Sequence, residues 1–193
     1  ILEGLESALG NDWLLTPFDY SHFAIIFDSD SKYKMPSSLI DLCDKEYEGK
    51  IILMDPRTST PGLGFAAWTY AVFGDGYKDY WRNLKNSILT MSPGWSSGYG
   101  LFTKGEAPLV SSYTTSPAYH VEYGEGDRFK AVIFEEGHVM QVEGAGITAG
   151  TKNETYAKMF IEFLISDEAQ AAIPLTQWIF PVNTNVELPD SYK

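Results

Sequence analysis

The sequence predicts an α/β fold with a mostly parallel sheet. Three observations predict it: short apolar runs of strand length, intervening segments with helical spacing, and Ser/Thr/Pro clusters that join one to the next. The order strand, polar loop, helix recurs along the chain. In sheets of this kind ligands sit at the carboxyl ends of the strands.

Residues Phe23 to Phe27 (FAIIF) read as a buried strand. Pro36 and two serines then precede an expected amphipathic helix over Ser38 to Glu46. Lys50 to Met54 (KIILM) is a second apolar strand. The run after Pro61 has helical length and closes at Gly74, so a proline start and a glycine stop bound one helix. Lys78 to Lys85 predicts another helix, with Tyr80, Trp81 and Leu84 on one side, and a short strand then leads into Pro93-Gly94-Trp95-Ser96. Leu109 to Tyr113 is strand-like and runs into a Thr/Ser/Pro cluster. Strands are expected at Ala131 to Phe134 and Met140 to Glu143, and a helix at Thr155 to Ile165. Ser166 is expected to cap a further short helix containing Ala169 to Ile173.

With 193 residues, 44% hydrophobic and 15% aromatic, the chain can bury one substantial core or form one lobe and part of a second. No stretch approaches the roughly 20 apolar residues that cross a bilayer. The net charge of −12 is spread along the chain, which argues against a nucleic-acid partner. A single cysteine, Cys43, excludes an internal disulfide and any multi-cysteine metal site. The first residues, ILEGLESALG, lack the basic n-region and cleavage site of a signal peptide, which leaves a cytosolic chain, a mature form or a fragment open.

The most informative stretch is Asp55 to Gly64 (DPRTSTPGLG). It places hydroxyls after a strand and a proline at a helix start, where unpaired backbone N–H groups point outward. Such a start attracts anions, and Ser59 and Thr60 would add donors for a phosphate or alcohol. Ordinary helix capping is the commoner use of these residues. Tyr113-Thr114-Thr115-Ser116-Pro117 repeats the design behind an aromatic residue, which suits a flat heteroaromatic ligand with polar substituents or, equally, a capped helix whose tyrosine belongs to the core. Trp95 and Trp178 both fall outside apolar periodic runs. A loop tryptophan meets a cationic or aromatic ring, or packs on the next element.

Catalytic and metal-binding patterns are missing from the sequence: there is no HExxH, GxSxG or Walker-type loop. Gly62-x-Gly64 is half of a dinucleotide fingerprint. His138 reads as a structural residue rather than a base. A Cys43 and His120 nucleophile pair is discounted, because Cys43 sits among Leu39, Ile40 and Leu42 as a buried thiol.

At DPRTSTPGLG, Gly94-Trp95-Ser96, Tyr99 to Phe102 (YGLF) and Tyr113 to His120 (YTTSPAYH), the sequence closely resembles the periplasmic thiamine-binding receptors of ABC importers. The likeness continues through Glu136-Gly137-His138, Gln141-Val142-Glu143, Ala172-Ile173-Pro174, Trp178 and Pro181-Val182, from Pro17 onward in the same order. It implies a periplasmic-binding-protein-like α/β fold: mostly the second lobe, with a mixed, largely parallel sheet flanked by helices, plus part of the first. The implied layout is 1–16 as the end of a first-lobe segment and hinge approach, and 17–135 as the second lobe with most pocket loops. Residues 136–180 return toward the first lobe and hinge, and 181–193 re-enter the second lobe.

The resemblance also implies a non-enzymatic binding component, without cofactor or metal, that captures thiamine, thiamine monophosphate or thiamine diphosphate. It would deliver the ligand to an ABC permease and ATPase, located in the periplasm or extracellularly and peripheral to the membrane. The implied ligand residues are Ser59, Thr60, Trp95, Tyr113, Thr114, Thr115, Ser116 and Trp178. Relatives carry further polypeptide at both ends, including an aromatic and an acidic pocket residue, so this chain is expected to bind weakly. Two other readings are kept: a same-fold receptor for a polyamine or iron, and a thiamine-pyrimidine-processing enzyme on the same scaffold.

Overall fold

Apolar runs become strands and the segments between them become helices, in the order α1 (Leu5–Ala8), β1 (Thr16–Asp28), β2 (Ile51–Met54), α2 (Thr60–Phe73), α3 (Tyr77–Leu84), β3 (Ile88–Ser92), α4 (Trp95–Thr103), β4 (Leu109–Tyr113), α5 (Ser116–Glu122), β5 (Phe129–Val132), β6 (Met140–Ala145), α6 (Glu154–Leu164), α7 (Asp167–Thr176) and β7 (Phe180–Pro181). The computed structural model describes all 193 residues. It divides into two compact units, His22–Val139 and the pair of segments Ile1–Ser21 and Met140–Lys193.

In the His22–Val139 unit the strand order is β3-β2-β4-β1-β5. The expected parallel pairing holds for β3, β2 and β4, whereas β1 runs antiparallel to both β4 and β5. The sheet is therefore mixed, and β1 is the strand that reverses it. Because side chains alternate across a strand, β1, β2 and β4 feed two cores. Ile25, Phe27, Ile51, Leu53 and Leu109 face Phe65, Trp68 and Tyr80 on one side; Ile26, Ile52, Met54 and Val110 face Tyr99, Phe102 and Phe129 on the other. Each such fully buried side chain contributes about 1.5–3 kcal/mol. A partly exposed ion pair closes the far end of β1: Arg128 donates two 2.6 Å hydrogen bonds to the carboxylate of buried Asp28.

Helix α2 lies unusually close to the sheet. A Cβ on Gly62 would stand 2.4 Å from the carbonyl oxygen of Met54, and one on Gly64 2.2 Å from the ring of Phe23. The two glycines of the DPRTSTPGLG string are thus packing requirements. Gly74 closes the helix with φ 51°.

Ser38 to Glu46 does not form the expected amphipathic helix. It folds as two short 3-10 turns, Asp41–Cys43 and Lys45–Tyr47. The Asp41 carboxylate accepts from the Ser37 N–H (2.8 Å) and from the hydroxyls of Ser37 (2.6 Å) and Ser38 (2.8 Å). These local bonds compete with a helical ladder. Leu39 and Leu42 still reach the core, both fully buried. The strand expected over Ala131 to Phe134 is displaced to Phe129–Val132 by its pairing with β1.

In the other unit β1 pairs antiparallel with β7, Asp19 opposite Pro181 and Tyr20 opposite Phe180, and β6 also joins β1. Ser166 caps α7 as expected, its hydroxyl accepting from the Ala169 N–H at 3.3 Å. Buried Gln170 then ties the unit together: its amide donates to the carbonyls of Phe18 (2.8 Å) and Leu164 (2.9 Å) and accepts from the Asn183 N–H (2.9 Å). Its buried apolar side chains, prolines aside, are Leu5, Ile173, Ile179 and Val182. Residues 181–193 belong to this unit. No helix of the chain is long and apolar enough to cross a membrane.

Candidate functional site

Parallel strands β3, β2 and β4 end at Ser92, Met54 and Tyr113, and helices α4, α2 and α5 begin shortly after each. Their loops therefore share one edge of the sheet. Seven of the eight predicted ligand residues, Ser59, Thr60, Trp95 and Tyr113 to Ser116, lie there. Trp178 belongs to the other unit, half-buried in the turn after α7 with φ 59°.

The β2–α2 loop is braced from within. Arg57 grips the Asp55 carboxylate with its Nε (2.9 Å) and Nη2 (2.6 Å), and these bonds hold that carboxyl well below its usual range, at about 2. The Asp55 N–H donates to the Ser92 carbonyl at 2.8 Å, and the Thr58 hydroxyl to the Pro93 carbonyl at 2.8 Å. Thr58 thus ties the β2–α2 loop to the β3–α4 loop. Ser59 sits at the helix N-cap but its hydroxyl makes no capping bond. Capping does not consume it, and Thr60 beside it is exposed.

Trp95 was expected in a turn; it is the first residue of α4 and remains 38% exposed. Its indole N–H donates to the Ser112 hydroxyl at 2.7 Å, and one ring face stacks on Tyr99 at 4.9 Å and 17°. Behind it, the Tyr99 hydroxyl and His120 Nε2 are 3.0 Å apart, and His120 Nδ1 donates to Glu125 at 2.6 Å. Burial pushes the Tyr99 hydroxyl far up, so it stays neutral. The tryptophan is held on a rigid aromatic stack rather than left mobile.

Tyr113 ends β4 with its ring 5.4 Å from that of Phe23. The Thr114 N–H donates to the His22 carbonyl at 2.9 Å. Thr115 and Ser116 are buried. The Ser116 hydroxyl accepts from the Tyr113 N–H at 3.2 Å and lies 2.7 Å from that of Ser112. Ser116 is thus a strut of the edge, while Tyr113 and Thr114 are its partly open residues.

Two contributors escaped the sequence reading. Ser112 links Trp95 to Ser116, and its only signal was a polar residue inside an apolar strand. His22, where β1 meets the edge, has its pKa lowered by burial and then by His138, which favours the neutral ring. The other two histidines and the thiol are structural. His138 Nδ1 donates to the Phe23 carbonyl at 2.8 Å and its Nε2 accepts from the Phe134 N–H at 3.0 Å. Cys43 packs with the first core and His120 with Phe129 of the second, on opposite faces of the sheet, so the two cannot pair. Burial also pushes the thiol up to about 11. No group of three His, Cys, Asp or Glu is placed to hold a metal ion.

Against known proteins, residues 4–193 match the model of the bacterial extracellular solute-binding protein family. The chain is 45% identical over 183 residues to the thiamine-binding periplasmic protein of Brucella abortus, covering 94% of this chain and 54% of that protein. It is 43% identical to the protein of the same name from Escherichia coli, covering 95% and 56%. A solved periplasmic thiamin binding protein superposes with TM-score 0.87 at 44% identity, over 92% of this chain and 56% of that one. The chain therefore spans about half the length of the relatives it matches. It belongs to the bacterial extracellular solute-binding protein family.

Proposed function

We propose that this chain provides the hydroxyl- and aromatic-rich wall of a periplasmic thiamine receptor that feeds an ABC importer. The observation that carries the reading is the placement of Trp95: one face is committed to Tyr99 and the indole N–H to Ser112, yet the residue is 38% exposed. A pre-oriented indole of this kind suits a flat cationic heteroaromatic ring. The uncapped Ser59 hydroxyl, with Thr60, supplies donors at the start of α2 for the alcohol of thiamine or the phosphate of its mono- or diphosphate. Binding involves no chemistry on the ligand: the edge offers hydroxyls and rings, and His22, where β1 meets it, favours the neutral form. Relatives named as thiamine-binding periplasmic proteins support the ligand and the compartment. Trp178 is proposed as a further ligand residue, and peripheral membrane association as the working location.

Tryptophan fluorescence titrations test the reading. Thiamine and its phosphates are expected to quench emission, and Trp95→Ala to abolish most of that response. Quenching by spermidine or ferric citrate, with none by thiamine, would overturn it in favour of the polyamine or iron receptor. Mass spectrometry of incubated thiamine is expected to return it unchanged; a product would favour the processing enzyme.

A further inference from the structure

Helix α5 closes on a Schellman turn. Gly124 takes φ 77°, its N–H donates to the Val121 carbonyl at 3.1 Å, and the Glu125 N–H donates to the His120 carbonyl at 2.8 Å. Glycine accepts that positive φ without a Cβ penalty, and the two bonds fold Glu125 back onto the last turn of the helix. The side chain follows the backbone: the Glu125 carboxylate accepts from His120 Nδ1 at 2.6 Å. A carboxylate only accepts, so Nδ1 carries the proton, and in the neutral ring Nε2 is then the acceptor. The Tyr99 hydroxyl, 3.0 Å away, donates to it. Burial, and then the Glu125 charge, raise the pKa of Tyr99, so the hydroxyl keeps its proton. His120 and Tyr99 are both buried, and neither trades this bond for water.

We infer that Glu125 and His120 are positioning residues for the indole of Trp95, acting through Tyr99. Helix α5 reaches that one side chain twice. Ser116, at its start, lies 2.7 Å from Ser112, which holds the indole N–H. One hydrogen bond fixes the rim of the indole and leaves the ring free to tilt about it. His120, one turn further along α5, holds the hydroxyl of Tyr99, whose ring lies under the indole at 4.9 Å and 17°. This second anchor sets the plane of the stack. Without Glu125 the imidazole is free to carry its proton on Nε2, where it confronts the Tyr99 hydroxyl and forces it from donor to acceptor. Tyr99 then shifts, and the indole tilts with it. The inference rests on the thiamine reading only for what stacks on Trp95.

The test uses the whole chain and substitutes Glu125, whose side chain is 53% exposed, rather than buried His120. Glu125→Ala is expected to weaken thiamine binding roughly three- to tenfold in a calorimetric titration. Glu125→Gln, whose amide oxygen still accepts from Nδ1, is expected to restore affinity to within about twofold. Glu122→Ala, which removes an equal charge from an exposed position of α5, is expected to leave affinity unchanged and so separates positioning from long-range attraction of a cation. Tyr99→Phe keeps the ring but breaks the same chain of bonds, so its loss combined with that of Glu125→Ala is expected to be less than additive. The chain holds five tryptophans, so near-UV circular dichroism without ligand is read as the difference from Trp95→Phe. That signal is expected to change in Glu125→Ala and to recover in Glu125→Gln. Unchanged dichroism, no rescue by glutamine, additive losses, or an equal loss in Glu122→Ala would each overturn the inference. Absence of thiamine binding to the unsubstituted chain would overturn the ligand reading instead, and the dichroism would still decide whether Glu125 sets the indole.

Discussion

The indole nitrogen of Trp95 donates to the hydroxyl of Ser112, 17 residues away, and that hydroxyl also lies 2.7 Å from Ser116. A helix start, a strand and the next helix start are thereby joined through one buried serine. Ser112→Ala removes the partner of the indole N–H, and a lost hydrogen bond of this kind costs about 1 kcal/mol. Thiamine affinity is expected to fall roughly fivefold, with a red shift of tryptophan emission. Trp95→Phe, which keeps a ring but not the donor, is expected to lose less affinity than Trp95→Ala. Isothermal titration of the three variants checks the order.

Gly62→Ala is expected to destabilise the His22–Val139 unit by about 1–3 kcal/mol, because the new methyl meets the carbonyl of Met54 at the end of β2. Gly64→Ala meets the side chain of Phe23 instead, which has more room to shift. Urea denaturation should therefore rank Gly62→Ala as the more severe. Equal midpoints would contradict the close approach of α2 to the sheet.

Two aspartates on β1 oppose one another in their pH dependence. Hydrogen bonds from Arg128 lower the pKa of Asp28, so its stabilisation is present above the unfolded carboxyl value and is lost as pH falls through the folded one. Burial, with Glu143 nearby, raises Asp19 to about 7. Its folded form binds the proton more tightly than the unfolded chain, so that contribution is complete below about pH 4 and is lost as pH rises through about 7. Asp19→Asn is expected to raise the Tm at pH 8 and leave it nearly unchanged at pH 3.5. Asp28→Asn is expected to lower stability at pH 7 by about 1–2 kcal/mol, a modest figure because Arg128 is 40% exposed. Thermal melts across the range separate the two signs.

Cys43 is half-buried with its pKa pushed to about 11. At pH 8 its thiolate fraction is roughly a hundredfold below that of a thiol with pKa 9.0, so labelling by a thiol reagent is expected to be slower by at least that factor. Denaturant should restore ordinary reactivity. Rapid labelling of the native chain would contradict the packing of this residue against the core.

Since the relatives extend well beyond the matched region, thiamine is expected to bind this chain no tighter than micromolar. A stacking or charge partner contributes on the order of 1–3 kcal/mol to binding. Submicromolar affinity in a calorimetric titration would show that the edge around Trp95 suffices alone.

Much of this was legible in the order of residues. FAIIF, KIILM and LVSSY are apolar runs of strand length, and each became strand. Pro61 and Gly74 bounded α2 because proline needs no N–H donor at a helix start and glycine accepts the positive φ at its end. Ser166 capped α7 for the same local reason. Ser38 to Glu46 misled because its periodicity was apolar and helical while Asp41 gathered three local donors that a helix would have left in competition.

By itself, then, the sequence determined the elements, the hydroxyl-rich loops and the family likeness, all of which depend on neighbours within a few residues. Only the tertiary structure decided the reversal of β1 in the sheet, the role of Ser112, and the assignment of Ser116 to support and of Thr58 to bracing. Those follow from hydrogen bonds between residues distant in sequence, from Thr58 with Pro93 to the pairing of Ile25 with Val132. Such pairings are chosen by how the whole chain satisfies its buried polar groups, and no local pattern records them.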